Sequence, residues 1–496
     1  MLSLKSLSDS GYEKKQGGKI DKELPYFITL ITLLATSGLG PYTILKKIVD
    51  INLLPTIKAE ASKIIKRIDM LGIDPLVALS QAKERPSSKA LGEFLGGYVS
   101  AIQSGGNVIS YLKSKMFSSY EMLENREKQS IEKISGIVHA YLTVQIVILA
   151  VFILIAAVGS SPLTVLMGNG GQTNSDPPYM LLAIPPVLSV VFMKIAQSLN
   201  KANISEVEVK KLIRYGLPAI LAAVVLIFTN VFSSLHINAY ILGSGLIVAS
   251  IWPTIRFNKM YKANLDAETS TPQILRDITE ARKAGIGPEK CIIHACKRKD
   301  FDTFTPIANG ISNKLEWGIP LNNIFDTIQN EIKNFQVLIS FRILFEIIFS
   351  GGGNVNTLDT LADTSEKIHN IEKTKREMLK PYIIVGFMLV SITGFTTILT
   401  IQSFSDINEQ KSIGQTTMGQ NDKTPHAPQT NSFIELVSVA IILQSWLAGL
   451  FIGKITKGAF SGGFLFSILL TIITMVSIIS IQFHIVNLSV IMKSPT

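Results

Sequence analysis

Long uncharged apolar runs constrain this chain more than any other feature of its sequence. The clearest, AYLTVQIVILAVFILIAAVG at 140–159, is long enough to cross the apolar layer of a bilayer as a helix. Only 17% of the 496 residues are charged, whereas about a quarter is usual in a soluble domain. Similar runs follow at 179–195, 216–235, 237–252, 381–404, 433–452 and 464–483. We therefore predict an all-α polytopic membrane protein with about seven spans.

Basic residues predict how these spans are oriented. The loop at 194–215 and the turn that carries Lys454 and Lys457 are basic, whereas the segment at 160–178 contains no Lys or Arg. Because basic loops stay preferentially in the cytoplasm, both large hydrophilic blocks are predicted to lie there, attached to the cell membrane. The predicted order is a cytoplasmic tail at 1–20, a helical bundle at 21–135, four spans within 136–255, a second bundle at 256–380, a fifth span at 381–404, an extracytoplasmic polar loop at 405–432, and two spans with a tail at 433–496.

The two hydrophilic blocks repeat each other. The sequence GGNV that begins at Gly105 returns so that Asn354 lies 247 residues after Asn107, and the same offset places Gly38 on Gly285. Farther along, LGIDPL at 71–76 resembles WGIPL at 317–321. We therefore predict two duplicated helical bundles. Each would contain a helix–turn in which glycine takes a left-handed conformation and asparagine caps the next helix; the turn residues are Gly105, Gly106 and Asn107 in the first copy, and Gly352, Gly353 and Asn354 in the second.

A helix is predicted to lead from each bundle into the apolar segments. After Asn107 there is no Gly or Pro until Gly136, so a helix can continue towards the first span. The second copy repeats this pattern at 356–382, before the fifth span. A flexible linker would be rich in Gly, Ser or Pro, and neither segment has that composition. We expect stiff helices at both places.

No motif in the sequence indicates catalysis. A phosphate-binding Gly-x-x-x-x-Gly-Lys-Ser/Thr loop is absent, and the six histidines are scattered. Cys291 and Cys296 lack metal-ligand spacing and are interpreted as reduced structural cysteines. We predict no enzyme activity, no cofactor and no metal.

Two features leave more than one interpretation open. The two prolines of AIPPVLS at 183–189 indicate either a kinked span or a broken gating helix. The basic run CKRKDF at 296–301 could satisfy topology and lipid headgroups, dock a protein, or contact nucleic acid. Acidic residues balance most basic ones in each bundle and no aromatic pattern accompanies the run, so nucleic acid is not a predicted partner.

The sequence also resembles a known family. The run DPLVALSQAKERPSSKALGEFLGGYVSAIQSGGNVISYLKSK at 74–115, the paired helical domains and the span arrangement are similar to platform proteins of type II secretion (F domain) and type IV filament machines. The archaeal branch, which includes the archaellum platform, is the most similar. The second copy is more diverged, with RILFEIIFSGGGNV at 342–355.

This resemblance implies a function. Such platforms lie in the cytoplasmic membrane between a hexameric secretion ATPase and a filament built from prepilin-like or archaellin-like subunits, and they are expected to form homodimers or small multimers. Basic residues on the bundles would meet the ATPase; the candidates are Lys46, Lys47, Lys297, Arg298 and Lys299. A membrane scaffold or signalling protein is the alternative. A transporter would usually carry ionisable groups at mid-membrane, and the spans lack them.

Overall fold

The computed structural model describes residues 2–84, 86–159, 179–199, 238–298, 300–351, 353–388, 390–394 and 427–482. Every regular element within these ranges is helical, which confirms the predicted all-α class. The chain divides into two compact units. We call Met1–Gln129 with Tyr261–Lys375 the bundle unit, and Ser130–Met260 with Arg376–Thr496 the membrane unit.

Six helices form or enter the first copy of the repeat. They are α1 (Leu2–Thr36), α2 (Pro41–Val49), α3 (Pro55–Leu71), α4 (Pro75–Glu84), α5 (Lys89–Gln103) and α6 (Val108–Gly159). Proline opens α2, α3 and α4, where its missing N–H costs no hydrogen bond. Ser88 caps α5 by accepting a hydrogen bond from the Leu91 N–H. The helix α6 extends without a break from the turn after α5 to the end of the first apolar run.

The second copy repeats this order of helices. After α7 (Tyr179–Leu199) come α8 (Asn238–Lys283), α9 (Pro288–Arg298), α10 (Thr305–Glu316), α11 (Leu321–Glu331), α12 (Phe335–Phe349) and α13 (Val355–Leu379). Three glycines with positive φ end corresponding helices in both copies. These pairs are Gly38 and Gly285 (both +85°), Gly72 and Gly318 (+61° and +74°), and Gly105 and Gly351 (+63° and +75°). The duplication is therefore visible in the backbone as well as in the sequence.

The two copies share one hydrophobic core rather than forming two separate bundles. Two helices, α1 and α12, pack against each other across the copies. The ring of Tyr26 meets that of Phe335 edge-on at 5.1 Å. A helix that is apolar on every side is normally buried, and α12 is buried along most of its length. The blocks predicted at 21–135 and 256–380 thus combine into a single folded unit.

Five helices in the described residues are long and apolar enough to span a membrane. They include Val108–Ile148, Ala239–Lys283, Val355–Gly394, Val437–Lys457 and Phe460–Ser480, and Ile184–Ser198 is a shorter apolar helix. After α14 (381–388), the described part of the membrane unit ends with α15 (Ala427–Lys457) and α16 (Phe464–Gln482). These observations agree with a polytopic membrane protein.

Glycines bring α15 and the start of α16 close together. A Cβ added to Gly453 would lie 2.0 Å from the Gly463 Cα, and one added to Gly449 would lie 2.3 Å from the Ser467 backbone. The spacing Gly-x-x-x-Gly is typical of membrane helices whose backbones touch. Small residues therefore fix this hairpin.

Several predictions fall outside the described residues. These are the basic segment at 200–215, the polar segments at 160–178 and 405–426, the span at 216–235, Gly352 and Lys299. The two prolines of the second span are described: α7 continues through Pro185 and Pro186 without a break.

Candidate functional site

The first predicted turn joins α5 to α6. Gly105 donates its N–H to the Ile102 carbonyl and Gly106 donates to the Ala101 carbonyl, each at 3.2 Å. This pair of bonds is the usual ending of a helix with a left-handed glycine. Asn107 then accepts a hydrogen bond from the Ser110 N–H at 2.9 Å, so the turn also caps α6.

The corresponding turn of the second copy is one residue longer. The positive φ falls on Gly351, one residue before the predicted pair Gly352 and Gly353. Asn354 caps α13 by accepting from the Thr357 N–H at 2.8 Å. A Cβ at Gly353 would lie 3.1 Å from the Pro288 ring, so this glycine allows the turn to approach the start of α9.

Lys47 lies in a charged cluster that connects the two copies. Its Nζ is 3.3 Å from a Glu346 carboxylate oxygen, and Arg342 donates to the other oxygen of that carboxylate at 2.5 Å. The same ammonium lies 5.1 Å from the centre of the Phe349 ring. None of the three charged side chains is more than 20% exposed. Lys47 is thus engaged within the bundle unit.

The remaining basic candidates differ in their surroundings. Lys297 pairs with Glu316 at 2.6 Å on an exposed surface, and Arg298 pairs at the same distance with Asp277, which is only 9% exposed. Lys46 is exposed and forms no ion pair among the described residues. A partner's carboxylate would have to share Lys297 or Arg298 with the carboxylate already paired to it, or displace that carboxylate.

Sequence reasoning did not single out an exposed surface at the end of α3. Lys66 and Arg67 are exposed, and the next turn carries Met70 and Leu71 at 81% and 67% exposure. In the second copy, Trp317 occupies the position equivalent to Leu71 and is 78% exposed. Of these residues, only Leu71 and Trp317 belong to the repeated sequences LGIDPL and WGIPL, so the repeat indicated part of this surface.

Another connection joins α6 and α13 within the bundle unit. Lys375 pairs with Glu127 at 2.7 Å, and Lys367 lies 6.0 Å from the centre of the Phe117 ring. Residue numbers rise in the same direction on both helices. The equivalent helices of the two copies therefore run side by side and parallel.

The membrane unit contains an uncharged polar network. Tyr141, Ser189 and Gln444 are each less than 8% exposed. Ser189 donates to the Gln444 side-chain carbonyl at 3.0 Å, and the Gln444 amide donates to the Tyr141 oxygen at 3.2 Å. Buried polar groups in a membrane are stable when they bond to one another, so this network holds α6, α7 and α15 together.

Together these features define a polytopic, all-α membrane protein with a duplicated helical bundle. Residues 27–158 match the model of the family described as type II secretion system (T2SS), protein F. This segment is therefore similar to that family, which confirms the predicted resemblance to the type II secretion F domain. The matched segment contains most of the first copy and the first apolar run.

The chain is also similar to a curated protein along most of its length. An uncharacterized protein of Methanocaldococcus jannaschii is 19% identical over 404 residues, which cover 74% of this chain and 65% of the relative. No solved structure matches the chain.

Proposed function

We propose that this protein is the membrane platform of a type II secretion or type IV filament machine. The observation that carries the proposal is the family match over 27–158, which ends inside α6. That one helix begins directly after the first turn of the bundle and contains the first apolar run. A platform must receive a movement at its water-exposed domain and pass it to segments in the bilayer. It therefore needs a helix that continues from one to the other.

The proposed mechanism uses the helices that continue from bundle to apolar segments. Three segments pass between the two units, at Gln129, Met260 and Lys375. The first two passages lie inside α6 and α8, and the third lies near the end of α13. A helix transmits displacement better than a linker because its backbone hydrogen bonds resist bending. The platform itself would perform no chemistry.

The proposed partners are a hexameric secretion ATPase on the cytoplasmic side and prepilin-like subunits in the bilayer. The net charge of +10 supports an acidic partner face. Lys46 is the best placed of the predicted docking residues because no described carboxylate competes for it. The archaeal source of the relative supports the archaeal branch, and an archaellum or pilus is the filament we propose.

Copurification tests this proposal. The detergent-solubilised protein, purified from its native membranes, should bring down a secretion ATPase or prepilin-like subunits, identified by mass spectrometry. Recovery of neither from intact complexes would contradict the platform function and favour a scaffold or signalling protein. A Lys46→Cys variant should react with a membrane-impermeant maleimide only after cell lysis if the bundle unit is cytoplasmic.

A further inference from the structure

Large apolar side chains are exposed at equivalent helix ends of the two copies. Leu71 ends α3 directly before Gly72, and Trp317 follows α10 directly before Gly318. Both glycines have positive φ. Leu71 is 67% exposed, its neighbour Met70 is 81% exposed and Trp317 is 78% exposed.

These exposed side chains are not required by the turn that follows them. A left-handed helix end needs the glycine, and it gains stability when the residue after the glycine packs on the helix. That residue is Ile73 in one copy and Ile319 in the other, and both pack against the core. The exposed residues before the glycines therefore have no packing role, although both copies retain a bulky apolar residue there.

Unpaired cations lie beside the first of these helix ends. Lys66 and Arg67 precede Met70 and Leu71 by three to five positions, so the four side chains share one part of the α3 surface. Both cations are exposed, and neither forms an ion pair with a carboxylate in the described residues. In this they differ from Lys47, Lys297 and Arg298.

Hydrogen bonds locate this helix end within the first copy. Tyr42, near the start of α2, donates its hydroxyl to Asp69 at 3.0 Å. Thr32, near the end of α1, donates to the Leu112 carbonyl at 3.3 Å. The end of α3 therefore lies at the end of the copy where α6 begins.

We propose that these helix ends form a docking surface for an acidic, partly apolar face of the secretion ATPase. We call the surface the tip patch: Lys66, Arg67, Met70 and Leu71 in the first copy and Trp317 in the second. The proposal rests on the proposed function. Trp, Met and Arg are enriched in protein interfaces, and unpaired cations complement carboxylates. A lipid surface fits less well, because anionic membranes are usually bound by clusters of four to eight basic residues.

Binding of the purified secretion ATPase of the same organism tests this surface. The full-length protein is placed in nanodiscs of neutral phosphatidylcholine and its affinity for the ATPase is measured by biolayer interferometry. Met70→Ser with Leu71→Ser, and Trp317→Ser alone, should each weaken binding about tenfold or more, as expected for buried interface anchors. Lys66→Gln with Arg67→Gln should weaken binding and reduce its dependence on salt.

Matched controls exclude general effects of the substitutions. Met122→Ser removes an apolar side chain that is 54% exposed on α6, and Lys89→Gln removes a cation that is 93% exposed. Both should bind like the wild type. The melting temperature, measured by circular dichroism, must be unchanged in every variant. This check is needed because Lys66 and Arg67 also lie near the negative end of the α3 dipole, where their removal can lower the stability of α3.

The outcomes separate the tip patch from the proposed function. If the wild type binds the ATPase and the tip variants bind equally well, the tip patch is wrong while the platform function stands. If the wild type binds no ATPase, the platform function fails and the tip patch with it. If the tip variants instead lose binding to anionic vesicles, or lose self-association, the surface serves lipid or a second copy and the proposal is overturned.

Discussion

The Lys375 ammonium lies 2.7 Å from the Glu127 carboxylate and joins α13 to α6, the equivalent helices of the two copies. The two side chains are 14% and 24% exposed, so water screens their attraction less than at an open surface. This ion pair lies next to the residues where both helices pass from the bundle unit into the membrane unit.

Charge reversal at this pair should lower stability, and a charge swap should restore it. Glu127→Lys and Lys375→Glu each place like charges together, and each should cost about 1–3 kcal/mol. The double variant should recover most of that loss, measured as the apparent melting temperature in detergent. Losses that simply add in the double variant would show that the two side chains do not interact.

Arg298 and Lys297 are neighbours, yet their substitution should have unequal effects. Arg298→Gln leaves the nearly buried Asp277 without its cation, and we expect a loss of about 1–3 kcal/mol. Lys297→Gln breaks an exposed pair and should cost less than about 1 kcal/mol. Equal melting temperatures of the two variants would contradict this assignment. Reduced ATPase binding by Lys297→Gln alone would support docking without a change in folding.

Gly105→Val should destabilise the bundle unit through the backbone alone. A Cβ at this position would meet nothing within 4 Å, but φ is +63°, a conformation that costs a β-branched residue about 1 kcal/mol or more. Gly40→Val is the matched control, because Gly40 is equally open and has a φ of −75°. A melting temperature for Gly105→Val as high as that of the control would rule out a left-handed requirement.

Cys296 should be unreactive in the folded protein. Burial raises its pKa to about 12, and burial also raises the pKa of Cys291. Thiol reagents should therefore label neither residue at pH 8 until the chain is unfolded, whereas Lys46→Cys should react at once. Native labelling of both cysteines would contradict their burial.

The raised pKa of Cys296 determines whether the stability of the folded protein rises or falls with pH. A protonated thiol is neutral and suits a buried site, so its contribution to stability is complete below the pKa of the unfolded thiol, near 8.5. As the pH rises from there towards 12, the unfolded chain releases the proton and the folded chain keeps it. Stability should fall over that range, and Cys296→Ala should reduce the dependence.

Periodicity and the repeat predicted much of the fold. The apolar runs indicated the spanning helices, and the offset of 247 residues located the helices and glycine turns of the second copy. Alignment on Asn354 cannot locate the extra residue among the three glycines at 351–353, and a left-handed glycine of the second turn is Gly351, one position before the predicted pair.

The pairing of side chains could not be predicted in this way. Lys47 and Glu346 are 299 residues apart, and nothing local to either indicates that the copies share a core. Arg298 likewise resembles a docking residue in the run CKRKDF until its contact with Asp277 is known. The exposure of Trp317 depends on where the chain goes after Gly318. Long-range packing determines each of these.

The core shared by the two copies has a consequence for how such a protein assembles. A chain with only one copy would leave the surface around Tyr26 in water, and it could cover that surface only by associating with a second molecule. Such an association depends on protein concentration. Covalent connection of the copies replaces it with a fixed, high local concentration. The shared core of the bundle unit therefore forms at any protein concentration, because both of its halves belong to one chain.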